Sequence, residues 1–212
     1  MVAEGYAKDC NLRYNSNGLE LPDKLFKLWD HFKEVRFNFS IDAYGQRNDY
    51  IRYPSKWSDV EANLKRLDQN TKDNTVINIA CAVQLLNAGY IDELAEWKMD
   101  QGFSKINPSM FGGGIIGTHL VYLPSYLNVQ VLPKQAKDWI KNKVETFIDR
   151  QKFNLEFNQH PYGAQRWHGL IKYMMQEDWS HKLPALQEYL QVTDERRGTD
   201  FRKTFPELGQ YI

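Results

Sequence analysis

The chain carries only two cysteines in 212 residues, Cys10 and Cys81. Two thiols cannot build the disulfide framework of a small secreted fold, and unaided they hold neither an iron–sulfur cluster nor a structural zinc. Reduced thiols in a cytoplasmic protein are the expected state. An excess of charge of either sign is also missing, since 27 Lys and Arg balance 27 Asp and Glu. No overall field therefore draws the chain to nucleic acid or to an anionic membrane surface. No segment reaches the roughly 18 apolar residues of a membrane span, and the opening residues lack the apolar core of a signal peptide. Neither nucleic acid nor a membrane is an expected partner. The five histidines lack metal-binding spacing, and there is no phosphate-binding loop, nucleophile elbow or dinucleotide fingerprint. Internal repeats and low-complexity tracts are absent too.

What is present is globular: 42% hydrophobic and 14% aromatic residues, enough for one domain, or one with an appendage. The most informative stretch is 35–42. Val35, Phe37, Phe39 and Ile41 alternate with Arg36, Asn38, Ser40 and Asp42. Side chains on a strand point alternately to opposite faces, so one face is apolar and the other carries chemistry. Helical patterns on both sides suggest a parallel strand between crossover helices. In a barrel of that kind the polar face looks into the lumen.

Other elements follow the same logic. Residues 11–17 read as a strand ending at the Asn17-Gly18 turn. Pro22 opens a helix whose stripe is Leu25, Leu28, Trp29 and Phe32. Residues 43–56 read as a polar, aromatic loop, and Ser58 with Glu61 as a capping box ahead of Val60, Leu64 and Leu67. Residues 75–85 make a third strand, with Ile77, Ile79, Cys81 and Val83 on one side and Asn78, Ala80, Ala82 and Gln84 on the other. A helix over 90–101 stops at Gly102. Ile106-Asn107 is a candidate fourth strand, broken by Phe111-Gly112-Gly113-Gly114. Residues 119–123 and 126–132 look extended. Beyond Pro133 helical stripes take over: Ile140, Val144, Phe147 and Ile148, then Trp167, Leu170, Ile171, Met174 and Met175. A short helix is expected near Pro184, and residues 201–212 hold enough aromatics to dock. The expected fold is α/β: a partial parallel (β/α) barrel of about three to four units over 1–132, then a mainly helical extension over 133–212.

With these pieces in order, the chain resembles the radical S-adenosylmethionine superfamily. The residues that carry the resemblance are Asn15-Ser16-Asn17-Gly18, Phe39-Ser40-Ile41-Asp42-Ala43, Tyr50-Ile51-Arg52, Trp57 with Asn63-Leu64, and Val83 through Asn87. They look like strands three to five of that family's partial barrel. Leu132-Pro133 and Phe205-Pro206-Glu207-Leu208 are similar to tails of members with a reduced, twitch-type auxiliary region. The family binds a [4Fe–4S] cluster through a C-x-x-x-C-x-x-C loop, because its irons need thiolates. That loop is missing from this chain, as is the family's Gly-Gly-Glu-Pro stretch. The resemblance thus implies the rear portion of such an enzyme, either a truncated reading frame or a piece that needs a partner chain.

What it implies for individual residues is a short set of contacts to S-adenosylmethionine. Ser16 and Ser40 match hydroxyls that meet the cofactor's carboxylate or ribose. Asp42 orients the loop or accepts from a ribose hydroxyl, and Arg52 clamps a carboxylate. Asn17, Arg36 and Asn38 complete the set, the last two from the polar face of the central strand. Ser16 shares the Leu12/Tyr14 face of its strand, opposite Arg13, Asn15 and Asn17, so the lumenal face there stays open. Each residue also has a plainer reading. Ser40 and Asp42 would end a strand and cap a turn, Arg36 would pair with a surface carboxylate, and Asn17 would serve its turn. Arg52 would sit in a solvated loop. Asn87 reads better as a helix-entry cap, and Cys81 as an inert buried thiol with Cys10 half-exposed. The stretch 162–167 between His160 and His168 reads as helix packing rather than as a base-stacking platform.

Three functions follow. The first is a radical S-adenosylmethionine enzyme portion that positions cofactor for 5′-deoxyadenosyl-radical chemistry on an unknown substrate, inactive alone without the cysteine loop. The second is a non-catalytic scaffold that pairs with a partner chain through an exposed edge at 11–17. The third is an unrelated α/β enzyme using Asp42 and Arg36. Catalytic residues are not assignable from the sequence.

Overall fold

Four strands form one parallel sheet in chain order: β1 (Asn11–Ser16), β2 (Glu34–Ser40), β3 (Thr75–Val83) and β4 (Gly117–Leu120). The computed structural model describes residues 1–106, 115–158 and 163–212. Parallel neighbours need crossovers, and helices supply them. These are α1 (Asp23–Trp29), α2 (Gln46–Ile51), α3 (Trp57–Asn70) and α4 (Ile91–Asp100). The fold class is α/β, and among the described residues the sheet is open, with β1 and β4 as its edges. After it come α5 (Lys134–Arg150), α6 (Leu155–Asn158), α7 (Gly163–Gln176), α8 (Leu183–Arg197) and α9 (Phe201–Thr204).

The alternation in the sequence sets which face meets the helices. Val35, Phe37, Phe39 and Ile41 are fully buried, as are Ile77, Cys81 and Val83 beside them. Trp29 of α1 packs on Phe37 with ring centroids 5.7 Å apart, and Leu64 and Leu67 of α3 join the same cluster. Burying a side chain of this size contributes about 1.5–3 kcal/mol, so a one-residue slip of β2 would forfeit several such terms together. The opposite face carries a ladder of amides in register. Asn15, Asn38 and Asn78 stand side by side on β1, β2 and β3. Asn78 Nδ2 donates to Asn38 Oδ1 at 3.3 Å, and Asn38 Nδ2 donates to Asn15 Oδ1 at 2.7 Å.

The C-terminal helices share the core. Phe147 of α5 stacks on Trp167 of α7 at 5.0 Å and 17°. Phe205 lies edge-on to Tyr50 at 5.3 Å, and Tyr90 Oη donates to Glu207 at 3.0 Å, so the tail docks as expected.

Several local expectations need correction. Helix α1 stops at Trp29, because Asn74 Nδ2 takes the carbonyls of Trp29 and Phe32 and closes the end. Leu28 is exposed and Phe32 falls beyond the helix. The supposed loop 43–56 contains α2, whose polar sequence has no apolar period. Buried Asn48 and Tyr50 anchor it instead. Ser58 lies inside α3, not at its cap. The Asp49 carboxylate accepts from the Trp57 backbone N–H at that end. Residues 126–132 are not extended: two tight 3₁₀ turns, Ser125–Leu127 and Val129–Val131, follow each other, and Asn128 Oδ1 caps the second by accepting from Gln130 N at 2.9 Å. Ile106 makes only a parallel bridge to Ile77, whereas Asn107 and Phe111-Gly112-Gly113-Gly114 lie outside the described residues. Met175 is 40% exposed, and the helix near Pro184 runs 15 residues.

Candidate ligand pocket at the C-terminal edge of the sheet

Open parallel sheets bind ligands beyond the carboxyl ends of their strands, where side chains and loops converge. A pocket of about 380 Å³ opens there, over β1–β3. That volume falls within the range of small-molecule sites. Asn17, Ser40, Asp42 and Arg52 line it, joined by Ser55 and Gln84.

Each wall is held from outside the pocket. Asn17 follows β1 and is placed by the turn at Gly18, whose φ is +65° and which has no room for a side chain beside the Phe39 ring. Glycine adopts this backbone at no steric cost. Asn63 of α3 donates to Gly18 O at 2.8 Å and pins the turn. Ser40 ends β2 on its polar face. Asp42, two residues on, is 5% exposed. Its Oδ1 accepts from Ala82 N at 2.8 Å, its Oδ2 pairs with Arg52 Nε at 2.9 Å, and its own N–H donates to Asn48 Oδ1 at 3.1 Å.

Asn87 locks the same corner. It is fully buried, and its Nδ2 donates to Asp42 O at 2.7 Å and to Ala82 O at 3.0 Å. Its Oδ1 accepts from Gln84 N at 2.7 Å. It is therefore a strand-to-loop clasp rather than the cap of α4, which begins after Tyr90. Cys81 is buried beneath, its Sγ 3.5 Å from Asp42 O. Burial, with the Asp42 charge adding to it, holds its thiol well above the usual range.

The expected site residues divide. Asn17, Ser40, Asp42 and Arg52 come together, whereas Ser16, Arg36 and Asn38 do not line the pocket. Ser16 Oγ accepts from Gly18 N at 3.0 Å and serves the turn. Arg36 grips Glu34, two residues back on its own face, with Nη2–Oε2 at 3.2 Å. That contact holds the Glu34 carboxyl below its usual range. Asn38 belongs to the amide ladder. Arg52 is already engaged by Asp42, so the opposite charges among the pocket's described lining residues neutralise each other.

Gln84 is the residue that sequence reasoning did not single out. It is 8% exposed, and its Oε1 is buried without a hydrogen-bond partner. Its place on the polar side of β3 was readable, but its lack of a partner was not. An unmet buried acceptor costs about 1–3 kcal/mol, which a ligand donor would recover. Leu19, Ile51 and Val60 supply apolar walls. The chemistry offered is amide and hydroxyl recognition of a neutral, hydroxyl-rich group.

The residues do not fit an iron–sulfur cluster. Cys10 precedes the N-terminal end of β1, and Cys81 lies near the C-terminal end of β3 inside the core. In a parallel sheet these are opposite edges. Among the described residues no group of three His, Cys, Asp or Glu side chains could hold a metal ion. No helix of the described residues is long and apolar enough to cross a membrane. No family model, curated protein or solved structure matches the chain.

Proposed function

We propose that the pocket over β1–β3 binds the nucleoside part of S-adenosylmethionine, and that the chain corresponds to the later strands of a radical S-adenosylmethionine-type partial barrel. The observation that carries this reading is Gln84, whose Oε1 is buried and unpartnered in a pocket whose other uncharged polar groups are hydroxyls and an amide, and whose Asp42 and Arg52 are paired with each other. A ribose hydroxyl or an adenine amino group is a donor of the kind that oxygen lacks. Ser40 and Asn17 stand in the same pocket, on the pieces of sequence that resemble the family. On this reading Arg52 serves by fixing Asp42, a different role from the carboxylate clamp that the resemblance implied. These 212 residues supply no cluster ligands, so no turnover is assigned to them alone, and the substrate is left open.

The test is calorimetric titration of the chain with S-adenosylhomocysteine, adenosine and homocysteine. Binding of the first two and not the third is expected. Gln84→Leu should weaken both by about tenfold, the worth of one lost hydrogen bond, without lowering the thermal midpoint. Absence of heat with adenosine compounds, or equal binding by Gln84→Leu, refutes the reading.

A second reading is supported by β1. It is an edge strand whose Asn11, Arg13 and Asn15 are exposed, and an unpaired edge recruits strands. On that reading the chain is a scaffold that pairs through β1. Size-exclusion chromatography with light scattering then gives a defined dimer that Tyr14→Pro converts to monomer. A monomer at every concentration removes it.

A further inference from the structure

Among the described residues that line the pocket over β1–β3, the aromatic one is Tyr53, two residues after α2. Its ring is 52% exposed, whereas Tyr50, three residues earlier, is 4% exposed and packs edge-on against Phe205. One ring seals the core and the other is left at the pocket. That second ring is not loose. Arg197, in the last turn of α8, holds its guanidinium carbon 4.9 Å from the Tyr53 ring centroid. A guanidinium over a tyrosine face is attracted by the ring electrons. Arg197 is itself fixed, because its Nη1 donates to Tyr50 O at 3.1 Å.

A lone exposed tyrosine is ordinary on a protein surface. This one differs in being part of a pocket wall while a distant helix sets its orientation. Arg197 is not among the lining residues, so it covers the ring from outside and leaves the other face to the pocket. The remaining walls are the aliphatic Leu19, Ile51 and Val60, and the charged pair Asp42 and Arg52 is closed on itself at 2.9 Å. An aromatic face beside aliphatic walls, with the nearby charges cancelled, suits a flat and uncharged ring system.

We infer that Tyr53 is the base platform of this pocket: the adenine of the ligand lies on its open face, and Arg197 acts as a positioning residue that sets the angle of the ring. The inference rests on the nucleoside reading and adds which groups select the nucleoside. The base is chosen by stacking on Tyr53, and a hydrogen-bond donor of the ligand is met by Gln84. Stacking is tolerant of hydrogen-bond pattern but grows with the size of the π-face, so a purine is favoured over a pyrimidine. The arrangement also gives the helical C-terminal part of the chain a share in the site, since α8 supplies Arg197.

The probes are adenosine, uridine and ribose, titrated into the full chain by calorimetry, with the adenine ring protons followed by NMR. Adenosine should bind at least about tenfold tighter than ribose, with uridine between them, and the adenine protons should move upfield over the tyrosine ring. Tyr53→Phe should keep the affinity within about twofold and keep the upfield shift, because the π-face remains. Tyr53→Ala should weaken adenosine by about tenfold, leave ribose unchanged and remove the shift, with little change in thermal midpoint at so exposed a side chain. Arg197→Gln should weaken adenosine by about threefold and shrink the shift, again with ribose unchanged. If adenosine gives no heat, the nucleoside reading falls and this inference with it. If adenosine binds and Gln84→Leu weakens it, yet Tyr53→Ala binds like the parent chain or keeps the upfield shift, this inference alone is overturned. An Arg197→Gln chain that matches the parent takes α8 out of the site.

Discussion

Replacing Asp42 by alanine takes away two interactions at one corner of the pocket. One is the hydrogen bond from Ala82 N at 2.8 Å and the other is the ion pair with Arg52 at 2.9 Å. The Asp42 side chain is 7% exposed and that of Arg52 25%. A hydrogen bond to a charged acceptor contributes about 1.5–3 kcal/mol, and its loss leaves the Ala82 N–H unpaired beside β2. Arg52 loses its partner but keeps access to water, so its share is discounted to about 1 kcal/mol. Asp42→Ala should therefore cost about 3 kcal/mol. Arg52→Ala should cost about 2 kcal/mol, because it strands a more deeply buried carboxylate. The double variant should cost less than the sum, with a coupling of about 1–2 kcal/mol. Urea unfolding followed by tryptophan fluorescence measures all three. A coupling below about 0.3 kcal/mol, within ordinary additivity, would show that the pair does not hold the corner.

Other positions test the frame around it. Asn87→Ala loses three hydrogen bonds to backbone groups and a weaker one to Cys81 Sγ at a fully buried site and should cost about 3 kcal/mol in the same assay, against under about 1 kcal/mol for Asn38→Ala in the open ladder. Equal costs would mean that the Asn87 clasp holds its corner no better than the open ladder holds the sheet. Gly18→Ala combines a left-handed backbone with overlap on the Phe39 ring and should cost about 3 kcal/mol; a neutral result would remove the close approach of turn and strand. With a thiol reagent near neutral pH, the folded chain should label at Cys10 only, because Cys81 is buried and its pKa raised. Labelling of Cys81 at the same rate before unfolding would contradict the packed core beneath Asp42.

The strand alternation of 35–42 and 75–85 was legible because burial enforces it, and with it the polar face of the sheet and the places of Ser40 and Asp42. The helical stripes of α3 and α5 were legible for the same reason. What escaped depends on contacts far apart in sequence. Helix α2 has no apolar period and is held by Asn48 reaching Asp42 and by Tyr50 meeting Phe205. The second of the tight turns at 125–131 is capped by one asparagine, Asn128. Arg36 looked chemically equipped, but Glu34 sits two residues back on the same face and occupies it. The Arg52 partner, Asp42, is ten residues away, and the residue pattern alone reads the two as separate ligands. Nothing in the residue pattern shows that Gln84 Oε1 is left without a donor.

Whether an adenosine compound enters over β1–β3 is read most directly by amide chemical shifts of the isotope-labelled chain during titration with S-adenosylhomocysteine. The backbone amides of Asn17, Ser40 and Arg52 and the side-chain amide of Gln84 should move together and saturate on one curve. Shifts confined to residues outside that pocket, or no saturable shift at all, would contradict the assignment of that pocket.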